Sequence, residues 1–493
     1  MANSKLHQLY RPSLALLNDL YQVSMAYSYW KSGRHDHEAI FQMYFRRNPF
    51  DGGFAVTCGL EAVTEYVNDF SWADDDIQYL ATLKGSDDKR LFEEAFLEYL
   101  HRTPLTVSID AIEEGRIVFA NEPLIRVRGP LLQCQLLETP LLNLLNFPTL
   151  IATKAARVCL AAGGDRVLEF GVRRAQGIDG GLTASRAAYV GGVAGTSNLM
   201  AGRIYDIPVS GTHAHSWVMS FDSELESFMA FAKAMPGNAV FLVDTYNSLE
   251  GVDHAIKVGQ WMKSQGQKFL GVRLDSGDLT YLSREARQRL DAAGFNDAVI
   301  VASNDLDEKL ITSLKSEGAP IGVWGVGTRL VTGYDDPALG GVYKMVALRK
   351  DSSSPWQYKL KLSEQLSKIT TPGLQQVRRF SENGLHVGDM IYDELSTHSM
   401  ELRTIIDPLD MTRRKIITES ATFEDLLVPM IDTGKNIYNN HGVKQARERC
   451  QSDLKKFHES IKRLNSPHGY PVGLEQSLHD RKSKMIMELR GFK

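Results

Sequence analysis

Cysteine is scarce in this chain: there are four in 493 residues, Cys58, Cys134, Cys159 and Cys450, far apart and in no CxxC pair. That excludes a disulfide framework and a cysteine-built zinc site, and it fits a reducing compartment. Basic excess is lacking as well, since 56 Lys and Arg stand against 60 Asp and Glu for a formal charge of −4. No basic tract exceeds short runs such as Arg413-Arg414-Lys415, so there is no electrostatic footprint for nucleic acid or a membrane surface. No apolar run approaches the roughly 18 residues of a membrane span. The N-terminal stretch also has no charged head, apolar core and small-residue cleavage site. What remains is a chain that is 43% hydrophobic, long enough for two or three domains. The expectation is a cytoplasmic protein with small-molecule partners and neither a nucleic-acid nor a membrane partner.

From about residue 205 to 330 one pattern recurs: a short apolar run, a polar or glycine-rich tip, then a helical period. The runs are "IPVSGTHAHSW", "AVFLVDTYN", "QKFLGVRLDSGD", "AVIVASNDLDE" and "APIGVWGVGT", with "GDRVLEFGVRRA" and "AYVGGVAGTSN" as earlier members. Their spacing of roughly 20 to 30 residues suits strand plus helix plus loops, a βαβ series. Ser223 and Glu226 stand at capping-box spacing ahead of "LESFMAFAKAM", and Pro236-Gly237 ends that helix. The number of units favours a closed (β/α) barrel, with an open doubly wound sheet as the alternative. The flanks read differently. Residues 38 to 60 predict a hairpin turning at Asn48 to Gly53, residues 107 to 129 predict further β structure, and the last 90 or so predict mostly helix. The boundaries that follow are 1–150 for an N-terminal α/β domain, 151–350 for the barrel, and 351–493 for a segment that completes the second domain and adds a helical tail.

In a barrel the polar strand tips converge at one face, where catalytic groups are placed. Here the tips carry Arg173, His213, His215, Asp244, Arg273, Asp275, Asp278, Asn304 and the loop Gly325-Val326-Gly327-Thr328. Each has a structural explanation on its own, such as helix capping by Asp275 or Ser303. Together, arginines, carboxylates and a glycine-rich turn suit an anionic, phosphorylated, magnesium-chelated substrate. His213 and His215, two apart, would face the same way on a strand and leave a two-imidazole metal site open, although no third ligand is evident.

These motifs together resemble the nicotinate phosphoribosyltransferase family. The matching stretches are "NDLYQVSMAYSYW", "FRRNPFDGGFAV", "EFGVRRAQGIDGGLTASRAAYVGG", "SGTHAHSWVMSF", "VDTYN", "VRLDSGDL", "ASND" and "GVGT", in that order along the chain. The resemblance implies an irregular α/β barrel of the type II phosphoribosyltransferases, with a second domain from N- and C-terminal segments. The acidic pair and TG loop of type I enzymes are missing, since Asp335-Asp336 has no such loop behind it. It also implies transfer of phosphoribose from phosphoribosyl pyrophosphate to nicotinate, coupled to ATP hydrolysis with Mg²⁺ held through substrate phosphates, in NAD salvage.

Residue by residue, the resemblance makes His215 the histidine that ATP phosphorylates and sets Asp244 and Asp275 near the ribose and metal. Tyr21 and Phe170 would sandwich the pyridine ring, Tyr21 coming from the neighbouring subunit of a homodimer. Arg173, Thr212 and Arg273 would contact nicotinate. Gly211, Ser216, Asn304, Gly325, Gly327 and Thr328 would bind phosphoribosyl or phosphate groups, and Arg46 and Arg47 would reach phosphates across the dimer. His213 matches no required histidine and reads as supporting structure. Ser197 stands where related nicotinamide enzymes carry an aspartate; a carboxylate there would repel the nicotinate anion, so nicotinamide specificity is the alternative within the family. Outside it, the alternatives are a metal-dependent barrel hydrolase and a binding scaffold without turnover.

Overall fold

The computed structural model describes residues 14–396, 403–439 and 442–492. They divide into two compact units. Residues 150–338 with 442–451 form one, and 14–149, 339–439 and 452–492 form the other.

The 150–338 unit is built on a parallel sheet of β1 (Arg166–Glu169), β2 (Gly195–Thr196), β3 (Val240–Leu242), β4 (Gly271–Leu274), β5 (Val299–Ser303) and β6 (Val323–Val326). Their order is β2-β1-β6-β5-β4-β3, and every ladder is parallel. Strands such as β3 and β6 are buried along their whole length, as expected of parallel strands covered on both faces. Helices alternate with them, and polar caps set their starts. Asn198 accepts from Met200 and Ala201 N–H, Ser223 from Glu226, Asn247 from Leu249 and Glu250, Asp278 from Tyr281, and Asp307 from Leu310.

The expected strand in "IPVSGTHAHSW" shrinks to one bridge, Val209 to Thr196, and His215 opens a short helix, His215–Met219. The assignment of the two histidines to one strand face is therefore corrected. Even so, the sheet curls. Val209 lies beside β2, while His213, four residues on, receives the Leu242 N–H of β3 at the opposite edge. Flat, those places would stand about 29 Å apart at ~4.8 Å per strand, and four residues span at most about 14 Å.

The other unit holds a seven-stranded sheet that includes Glu38–Phe45 and a six-stranded sheet that includes Gln375–Glu382 and Leu385–Asp393. Three expectations fail here. Strand Glu38–Phe45 pairs with Gly341–Arg349 and Ile125–Pro130, whereas Ala55–Val56 pairs with Ile117–Val118, so 38 to 60 is no hairpin. Gly341–Arg349 also belongs to this sheet, although the sequence places it in the barrel. The C-terminal region is likewise less helical than expected, with strands across 404–436.

Inside this unit lies a buried charge network. Arg379, wholly buried, donates Nε and Nη2 to Asp389 at 3.0 and 2.6 Å, Nη1 to Asp453 at 3.3 Å, and Nη2 to the Ile117 carbonyl at 2.7 Å. Asp389 also accepts from Tyr470, and Asp453 accepts from the Ile117 N–H and meets His386. Burial beside Asp389 pushes the Glu122 carboxyl well above the usual range.

Candidate active site

The strand tips of the parallel sheet bring most of the candidates together. Arg273, next to the end of β4, uses its whole fork: Nε to Ser303 Oγ at 2.8 Å, Nη1 to Thr212 Oγ1 at 3.0 Å, and Nη2 to Asp275 Oδ1 at 2.9 Å. Ser303, the last residue of β5, in turn donates its hydroxyl hydrogen bond to Asp275. Three tips are thereby locked around one planar cation, as a guanidinium allows and an ammonium does not. The same guanidinium lies 5.8 Å from the Phe170 ring centre.

Asp244, two residues beyond β3, has a buried side chain. Its Oδ2 accepts from the Asp275 N–H at 2.9 Å and from Ser276 Oγ at 2.6 Å. Its Oδ1 has no hydrogen-bond partner and lies 3.9 Å from His215 Nε2. Asp275 Oδ2 stands 4.0 Å from the same nitrogen. The His215 ring is 41% exposed, and its Nδ1 meets Thr245 Oγ1 at 3.1 Å. Nε2 is thus the nitrogen left facing two carboxylates and solvent.

Glu169, unremarked in the sequence, holds the turn after β1. Fully buried, it accepts from the Gly171 N–H, from Ser185 Oγ at 2.9 Å and from Thr196 Oγ1 at 2.5 Å. This anchor presents Phe170. Beside it Gly325 is required by close approach, because a Cβ there would lie 2.7 Å from Phe170 Cδ2. Gly325→Ala is expected to push the ring aside and raise the KM for the aromatic substrate at least fivefold with little change in thermal stability; an unchanged KM would remove Phe170 from the binding surface.

The remaining candidates separate. Asn304 is exposed at the end of β5 with φ 104°, a left-handed conformation that non-glycine residues rarely adopt. Gly327 and Thr328 form the turn into the one-turn helix Thr328–Val331. Gly211 has open space where a Cβ would be, and its carbonyl accepts from Asn238 Nδ2. Ser216 and Arg173 are exposed nearby in sequence to His215 and Phe170. Asp278 caps a helix. Ser197 donates its N–H to the Glu169 carbonyl.

Tyr21, Arg46 and Arg47 belong to the other unit. Tyr21 is half exposed on helix Leu20–Lys31, and Arg47 pairs with Asp51. Arg46 lines a cavity of about 200 Å³ together with Lys482. Arg46 Nε has no partner. Lys482 donates to Thr371 Oγ1 at 3.1 Å and meets no carboxylate among the described residues, and burial pushes its ammonium down to about 8.

His213 is no metal ligand partner for His215. It is 7% exposed, packed against Phe228, Phe231 and Phe241, and its Nε2 accepts the Leu242 N–H at 3.2 Å. Burial pushes its pKa down to about 4, helped by Arg273 and His215 against the Ala214 carbonyl. Unfolded, the ring takes a proton near 6.5, so its contribution is complete above that pH and fades as pH falls towards 4. Wild type is expected to lose about 2 kcal/mol more than His213→Gln between pH 7 and pH 5 in urea unfolding, and equal losses would contradict the buried neutral ring.

Comparison with known proteins shows the family. Residues 16–146 match the nicotinate phosphoribosyltransferase N-terminal domain, 166–359 the nicotinate phosphoribosyltransferase family, and 375–482 its C-terminal domain. The chain is similar to nicotinate phosphoribosyltransferase of Bacillus subtilis, 43% identical over 97% of this chain and 96% of that one. It is similar to the Homo sapiens protein of the same name at 35% over 94% and 95%. The structure of human nicotinic acid phosphoribosyltransferase superposes with a TM-score of 0.81 and 31% identity, over 95% of this chain and 99% of that one. A nicotinate-nucleotide pyrophosphorylase from Pyrococcus furiosus shares the fold at TM-score 0.69 and 18% identity, over 92% and 97% of the two chains. Matched along most of its length by the three family models and 43% identical to one relative over nearly all of both chains, the chain belongs to the nicotinate phosphoribosyltransferase family.

Proposed function

We propose that the chain transfers phosphoribose from phosphoribosyl pyrophosphate to the ring nitrogen of nicotinate, releasing pyrophosphate, in NAD salvage, and that ATP drives the transfer by phosphorylating His215. The observation that carries this reading is His215 itself: Nδ1 is tied to Thr245 and Nε2 faces Asp244 and Asp275. A neutral Nε2 lone pair attacks the γ-phosphorus and ADP leaves; water later takes the phosphoryl group, giving phosphate and restoring the ring.

Arg273 and Thr212 supply positive charge and a hydroxyl for the nicotinate carboxylate, with Phe170 against the ring. Transfer through a ribosyl cation asks the protein for positioning and charge more than for covalent work. Asp244 Oδ1, buried and without a partner, suits a hard cation, so Asp244 and Asp275 would hold Mg²⁺ together with the substrate phosphates; the ion supplies charge neutralisation there. Arg173 is assigned to nicotinate, and Gly211, Ser216, Asn304, Gly325, Gly327 and Thr328 are assigned to phosphoribosyl and phosphate contacts. Arg46, beside the acid-free Lys482, supports a phosphate role for that cavity. The curling of the parallel sheet supports an irregular type II barrel. A cytoplasmic homodimer, with Tyr21 contributed by the second copy, completes the reading.

The test is incubation with γ-labelled ATP and Mg²⁺, comparing wild type with His215→Ala. Acid-labile, base-stable label in wild type alone is expected. Label that persists in the variant assigns the acceptor elsewhere, and no label in wild type rejects the ATP-coupled step.

A further inference from the structure

Among the described residues no ladder joins β2 to β3, the two edges of the parallel sheet. The stretch from Val209 to His213 bridges them. Val209 pairs with Thr196 on one side; on the other, the imidazole Nε2 of His213 takes the Leu242 N–H that a neighbouring strand's carbonyl would otherwise take. A side chain closes the seam where the backbone does not.

We propose that His213 is a positioning residue for the transfer reaction, fastening the loop that carries Thr212 and His215 to the strand that carries Asp244.

The placement of this bond gives the inference its force. Leu242 stands two residues before Asp244, and His213 stands two before His215. One hydrogen bond therefore sets both approaches to the same gap, the 3.9 Å between His215 Nε2 and Asp244 Oδ1. On the near side of the bond, Thr212 Oγ1 receives Arg273 Nη1. Beyond it, His215 Nδ1 meets Thr245, the residue after Asp244. A second tie, Asn238 Nδ2 to the Gly211 carbonyl at 3.0 Å, holds the start of the loop but not its end.

The chemistry of the box explains the residue type. Phe228, Phe231 and Phe241 surround the ring with centroids 5.9, 4.9 and 6.4 Å away. An uncharged acceptor is needed there, because a buried N–H without a partner is costly, and a protonated ring would offer no lone pair to Leu242. With Nε2 accepting, the tautomer carries its proton on Nδ1, 3.5 Å from the Ala214 carbonyl. Leucine fills the volume without an acceptor. Glutamine places Oε1 near the reach of Nε2, and asparagine falls short of it.

The experiment compares His213→Leu, His213→Gln and His213→Asn in the full-length protein, each first checked for an intact thermal transition. Nicotinate KM and kcat are then measured separately. The Leu variant is expected to lose at least tenfold in kcat and to raise the nicotinate KM at least threefold, while Gln recovers both to within threefold of wild type. If Leu fails to fold, Asn replaces it, with the same polarity and a shorter reach. Equal kinetics for Gln and for the acceptor-less or short variant would overturn the proposal, because filling the box would then suffice. The inference rests on the reading above only for the His215 side of the gap; the nicotinate KM, reported through Thr212 and Arg273, stays informative even if His215 takes no label.

Discussion

Arg273→Lys is expected to lower kcat/KM for nicotinate by about 100- to 1,000-fold while the protein stays folded. The guanidinium makes three directed contacts, to Ser303, Thr212 and Asp275, and stands over Phe170. An ammonium on a flexible stem keeps the charge and can satisfy one of them well. The tips of β4 and β5 and the loop at Thr212 then lose their common anchor, and Asp275 is held by the Ser303 hydroxyl without the guanidinium. A loss of about 3 to 4 kcal/mol corresponds to that range, and most of it is expected in KM if, as proposed, this cation meets the nicotinate carboxylate both before and during transfer. Initial rates with nicotinate varied at saturating co-substrates measure it. A loss under fivefold would show that charge alone matters at this position and that the fork is scaffolding.

Replacing Arg379 by methionine is expected to destabilise the protein by about 3 to 5 kcal/mol. The substitution roughly preserves volume but removes the cation that Asp389 and Asp453 share; Asp453 keeps Arg116 at 3.4 Å, His386 and the Ile117 N–H, whereas Asp389 is left with Tyr470 and no cation. Total stabilities near 5 to 15 kcal/mol put such a variant close to the threshold. Adding Asp389→Asn should recover part of the loss, because an amide carries no charge to strand, and urea unfolding of the single and double variants measures both. If the double variant were no better than the single one, the damage would lie in packing and not in charge.

The parallel series was legible because apolar runs end in polar tips at a regular spacing, and that pattern survives in local sequence. Asp244, Arg273, Asp275 and His215 gather at one place accordingly. The rest of the site depends on contacts that local sequence does not encode. Glu169 looks like any strand-end acid until Ser185 and Thr196 are seen around it. Ser303 and Thr245 lie inside the "ASND" and "VDTYN" tips, where a small hydroxyl close to an acidic residue is the signal. His213 was misplaced on a strand face because the period-two rule assumes a ladder, and residues 210–213 have none. Gly341–Arg349 was assigned to the wrong unit because its partner, Glu38–Phe45, is far away in the chain.

That last pairing bears on how the protein emerges from the ribosome. Glu38 meets Arg349, made 311 positions later, so at about 5 to 20 residues per second the first of these strands waits roughly 15 to 60 seconds for its neighbour. All six strands of the parallel sheet are translated within that interval. The nascent N-terminal segment therefore spends much of synthesis with one edge of a largely buried strand unmatched, and over that interval a holding chaperone has an open strand edge to protect.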